Sequence, residues 1–153
     1  MSAPAVYEIE DVMDALAAVF NGIATGDSIR GVAQTISCTP EVPLQLNVPA
    51  AVLELDDLDW DLNMGGGADG FTVLVTVLVQ AQEIQTAQRE LWRFLSRKNT
   101  AGVARMKAAL EANKTLGGLV SYAIFTRVRN ASTTVSYNSV DYLAAELIIE
   151  VVS

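Results

Sequence analysis

Residues 71–79 read Phe-Thr-Val-Leu-Val-Thr-Val-Leu-Val, and this run constrains the chain more than any other. β-Branched and aromatic side chains at this density favour a pleated strand over a helix. Phe71, Val73, Val75, Val77 and Val79 fall on one face, and Thr72, Leu74, Thr76 and Leu78 on the other. Both faces are largely apolar, so the strand is expected at the centre of a sheet. A second long strand is expected over Val140–Val152. Leu143, Ala145, Leu147, Ile149 and Val151 line its core face, and Glu146 and Glu150 lie on the other with Ile148 between them.

Two further stretches alternate less cleanly. From Val52 to Met64 the phase slips: Leu53 and Leu55 are apolar at odd positions, Leu58, Trp60, Leu62 and Met64 at even ones. Asp56-Asp57 marks the slip, and a β-bulge or a break between two short strands would restore the inward face. Leu119 to Arg129 alternates with Val120, Tyr122, Ile124 and Val128 on one face, and the Ser-, Thr- and Asn-rich residues 130–138 read as a hairpin connection. Residues 27–50 carry Pro40, Pro43 and Pro49 and read as extended chain or edge strand.

Helical spacing appears in three places. Ile9, Met13, Leu16, Phe20 and Ile23 recur at steps of four and three, with acidic residues at the start and Gly22 and Gly26 available to end the helix. Ile84, Gln88, Leu91 and Leu95 form a second stripe, widened by Trp92 and Phe94, which read as core. Val103, Met106 and Leu110 form a third, stopped by Gly117-Gly118. No repeat or long linker divides the chain, so residues 1–153 form one α+β domain. Its mostly antiparallel sheet is packed by an N-terminal helix and a central helix pair.

A chain of 153 residues, 51% hydrophobic and 18% charged, can bury a core without staples. It has one cysteine, Cys38, and no histidine. Disulfide scaffolds, Ser-His-Asp and Cys-His catalysis, and imidazole metal sites are therefore excluded. No run of about 18 apolar residues predicts a membrane span. Met1-Ser2-Ala3-Pro4 opens no basic-then-apolar pattern, so no signal peptide is expected. Cys38 has no basic neighbour in sequence to activate it and reads as a small core residue.

Charge is divided along the chain. Residues 1–70 hold one basic residue against twelve acidic, and residues 71–153 nine basic against six acidic. The net charge of −8 argues against tight DNA binding. Two oppositely charged surfaces can instead meet head to tail between copies. The acidic donors would be Asp57, Asp59 and Asp61. The acceptors would be Arg89, Arg93 and Arg97, at steps of four, or Arg127 and Arg129, on one face of their strand. Ordinary solvated faces are the alternative.

Gly65, Gly67 and Gly70 satisfy G-x-G-x-x-G, yet they open a strand, whereas dinucleotide binding needs a helix N-terminus there. Phe71 also stands where a phosphate-binding loop has lysine. Gly65, Gly66, Gly67 and Gly70 are instead expected in a mobile loop, ordered on contact with a partner. Asp57, Asp59, Asp61 and Asn63 have calcium-loop spacing, but Leu62 and Ala68 occupy the places that need Gly and Glu. A weak surface cation site stays open. No catalytic constellation, metal site or cofactor site is predicted, and the reading is of a non-enzymatic protein that works by contacts.

Several segments together resemble the tail terminator, or tail-completion, proteins of long-tailed bacteriophages. They are the N-terminal helix, "VPLQLNVPAAVLEL", "GFTVLVTVLVQAQEIQTAQRELWRFL", "ALEANKTLGG" and "VDYLAAELIIEVVS". The likeness covers about residues 6–152, and the acidic stretch Asp56–Asp61 with its glycine loop departs from it. The resemblance implies a virion protein assembled in the bacterial host cytoplasm. Its subunits form a ring, typically a hexamer, that caps the tail tube, ends polymerisation and meets the head-tail connector or stopper. Partners would be further copies, the tube protein and the connector, with DNA passing through the lumen unread. Another neck or head-completion ring, or a small cation- or ligand-binding module, is the alternative.

Overall fold

The valine-rich run forms β5, Gly70–Val79, the third strand of a five-stranded sheet. In a computed structural model, residues 9–29, 32–41, 48–59, 70–79, 84–96, 101–137 and 139–152 are described. The elements are α1 (Ile9–Phe20), β1 (Ala24–Ile29), β2 (Val32–Thr35), β3 (Ser37–Thr39), β4 (Ala50–Asp59), β5, α2 (Ile84–Leu95), α3 (Gly102–Ala112), β6 (Tyr122–Tyr137) and β7 (Val140–Val152). The sheet order is β3-β4-β5-β7-β6, and only the short β3–β4 pairing is parallel. The α+β class, the mostly antiparallel sheet and the order of helices and strands are those the sequence predicts. Residues 27–50 also yield more than extended chain: β1 and β2 form a separate antiparallel hairpin, and β1 lies against α2 and α3.

One face of the sheet carries the core. Phe71, Val73, Val75 and Val77 of β5 and Leu147, Ile149 and Val151 of β7 are almost wholly buried there. Val12, Leu16 and Phe20 of α1, Phe94 of α2, and Met106 and Leu110 of α3 close over them. The Phe20 ring meets the Phe125 ring at 5.7 Å between centroids, tilted by 39°. Each such fully buried side chain contributes about 1.5–3 kcal/mol relative to exposure. Helix α1 ends where Gly22 takes φ +85° and its N–H donates to the Ile36 carbonyl at 2.8 Å. Gly26 plays no part in that ending and lies inside β1.

The phase slip in β4 is a bulge within one continuous strand. Leu55 pairs with Val73 and Asp57 with Thr72, leaving Asp56 as the extra residue. Beyond the bulge the ladder resumes, with Leu58 paired with Phe71. Gly70, expected in the glycine loop, is a buried strand residue, because Asp59 and Val152 flank it as ladder partners on both sides.

Strand β6 departs from expectation twice. A bulge at Thr126 changes its phase: before it Ala123 and Phe125 pair with core residues Val151 and Ile149 while exposed Tyr122 and Ile124 turn to the other face, and after it Val128 pairs with Leu147 on the helix side, where it is still 42% exposed. The Ser- and Thr-rich residues 130–137 continue the strand, and Ser139, with φ +64°, lies in the turn. An edge strand pairs on one side only, so polar and hydroxyl side chains suit its solvent side. The Thr126 hydroxyl donates to the Ile148 carbonyl at 3.3 Å and ties the bulge to β7.

Candidate functional site

All three helices lie on the core side of the sheet; among the described residues no helix covers the other face. The ladder pairings lay that face out in rows. One row runs Glu54, Leu74, Ile148, Arg127; the next runs Asp57, Thr72, Glu150, Ile124. Carboxylates thus gather on β4, apolar and threonine side chains on β5, and arginines on β6.

The face is hollowed. Leu74, Ile148 and Val52 are 9%, 7% and 6% exposed, although no helix among the described residues covers them. Val135 and Tyr142 pack against the cluster of Val52, Leu78 and Ala144. One hollow of about 290 Å³ has Val52, Leu74, Leu78 and Val135 in its lining, with Glu54 and Glu146. A second, of about 310 Å³, is lined by Asp57, Thr72, Thr126, Ile148 and Glu150.

The sheet separates Asp57 from Arg89 and Arg93 but not from Arg127 and Arg129. Asp57 is exposed on the open face, and Asp59 pairs with Gly70 at the end of β4. Arg127 and Arg129 share that same face, opposite Ile148 and Glu146. Arg129 Nε lies 3.6 Å from Glu146 Oε1, a pairing within the chain that draws Arg129 away from the acceptor role. Arg89 and Arg93 are exposed on α2. Asp61, Gly65, Gly66, Gly67 and Arg97 lie outside the described residues.

Helix α2 presents one more group. Ala87, Leu91 and Phe94 are fully buried, which turns Arg89 directly away from the sheet at 100° per residue. Trp92 stands beside it and is 56% exposed, so the expectation of a core role fails for Trp92 and holds for Phe94. The signal was present in the spacing: Ala87, Leu91 and Phe94 form the tighter stripe, and Trp92 falls outside it.

Cys38 is buried, and burial pushes its thiol up to about 12. Its backbone N–H donates to Asn21 Oδ1 at 3.1 Å. The thiol is a core group, as its sequence context predicts. Among the described residues no three Cys, Asp or Glu side chains converge to hold a metal ion, and no helix is long and apolar enough to cross a membrane. The chain matches no protein-family model and no curated protein.

Proposed function

We propose that this chain is the subunit of a ring that caps the tail tube of a long-tailed bacteriophage, ends tube polymerisation and forms the interface to the head-tail connector. The observation that carries the reading is that exposed carboxylates on the open face and exposed arginines on α2 lie on opposite sides of one sheet. The open face bears exposed Glu54, Asp57 and Glu150 beside Arg127 of β6, and the far side bears Arg89 and Arg93 on α2. Surfaces so placed are satisfied between copies, and a head-to-tail contact whose rotation closes makes a ring. A small subunit of mixed helix and sheet is also what the resemblance implies. In this reading the ring is a virion component with no catalytic role and no cofactor. The tube protein binds one rim, the connector or stopper the other, and DNA crosses the lumen without being read.

Electron micrographs of particles made without this chain test the proposal. Overlong or headless tails are the expected result, and headed particles with tails of native length would overturn it. The hollow that holds Asp57 and Glu150 favours a second reading, a small cation- or ligand-binding module. A monomer whose mass and stability respond to divalent cations, with normal tails in its absence, would favour that reading.

A further inference from the structure

We infer that the outer side of α2 docks onto the open sheet face of a neighbouring copy, with Trp92 seated in the hollow over Leu74 and Leu78 and Arg89 meeting Glu54 and Asp57. The inference rests on the ring reading and assigns its subunit contact. Three observations point to a second copy as the occupant.

The first is the exposed indole. A tryptophan 56% exposed on a helix whose Leu91 and Phe94 are fully buried is the kind of side chain that anchors interfaces. It stands beside Arg89, one turn away, so an aromatic anchor and a cation project together.

The second is the shape and chemistry of the hollow. A cavity of about 150 Å³ holds benzene. The hollow over Leu74 is about 290 Å³ and has an apolar floor of Val52, Leu74, Leu78 and Val135. Glu54 rims it, and exposed Asp57 stands beyond Glu54 on the same strand. An anchor with a neighbouring cation matches a hollow with a neighbouring carboxylate.

The third is placement. The anchor and the hollow are on opposite sides of the sheet, so a chain cannot fill its own hollow with its own Trp92. The contact is heterologous: each copy offers α2 to one neighbour and its open face to the other.

Sedimentation velocity on the purified full chain, across a concentration series, tests the contact. Trp92→Ala is expected to weaken self-association by about tenfold or more, as truncation of a central aromatic anchor does. Arg89→Glu and Asp57→Lys are each expected to weaken it, and the double variant to recover most of the loss. All three positions are exposed, so melting temperatures should stay near native, and circular dichroism checks the fold. A Trp92→Cys, Leu74→Cys pair in a Cys38→Ala background should form disulfides between chains under oxidation and none within a chain. A native chain that remains monomeric throughout overturns the contact. Variants that assemble as the native chain does also overturn it, and leave ring capping standing on another interface. Native-length tails in particles lacking the chain would overturn ring capping itself, whatever the solution result.

Discussion

Cys38 shows how a single buried group ties stability to pH. Its thiol ionises near 9 in an unfolded chain and near 12 in the fold, because burial disfavours the thiolate. The folded state therefore holds a proton that the unfolded state releases. The contribution is fully present below pH 9 and is lost as pH rises toward 12, by up to about 1.4 kcal/mol for each pH unit. Denaturant titrations at pH 8, 9 and 10 should show this decline, and a Cys38→Ala variant should show a smaller slope. Thiol reagents at neutral pH should leave Cys38 unmodified until the chain unfolds. Gly22 makes a second residue-scale case. An added Cβ there would meet nothing within 4 Å, but the backbone sits at φ +85°. Gly22→Ala should therefore cost about 1–2 kcal/mol through backbone strain and no steric clash. Gly22→Asn should cost less, because asparagine visits the left-handed region more readily. Thermal melts of the two variants would separate these outcomes.

At the scale of elements, the bulge in β4 makes a sharper prediction than any point substitution. Asp56 is the residue without a partner, between Leu55 opposite Val73 and Asp57 opposite Thr72. Deleting Asp56 should produce a regular ladder with every later side chain on its original face, and stability should change by about 1 kcal/mol or less. Inserting one residue after Asp57 should shift Leu58 out of its pairing with Phe71 and destabilise the chain by more than that. Melting temperatures of the two variants compare them directly. This bulge was legible because apolar residues on both sides of Asp56-Asp57 keep a strict period and differ only in phase. The faces of β7 were legible for the same reason, five apolar residues in step with two glutamates out of step. Strand β6 was not. Its bulge at Thr126 falls between apolar residues that occupy the same parity, so the sequence shows no slip. Its second half is rich in Ser, Thr and Asn, which signals a turn unless the strand is at an edge, and edge position is a property of the whole sheet. The acidic side of the site could be read from its charges. Trp92 was misread, because a wide helical stripe absorbs an aromatic that the actual packing leaves outside.

For the whole molecule, the placement of Arg89 across the sheet from Glu54 and Asp57 predicts how assembly depends on salt. A single exposed ion pair is worth about 0–1 kcal/mol, so Arg89 with Glu54 or Asp57 does not hold a ring together. The apolar seat of Trp92 supplies most of the affinity, and the charges orient the approaching copy and speed its encounter. The screening length falls from about 10 Å at 0.1 M ionic strength to about 3 Å at 1 M, which is shorter than the reach needed to steer. Association measured by stopped-flow light scattering should therefore slow by roughly tenfold or more over that range. Dissociation should change little, because it is governed by desolvated apolar contacts that salt leaves in place. Trp92→Ala should show the opposite pattern, with faster dissociation and an unchanged salt slope of the association rate. Arg89→Glu should flatten or invert that slope and leave dissociation closer to native. If salt sped dissociation as much as it slowed association, charge and not the indole would hold the copies together.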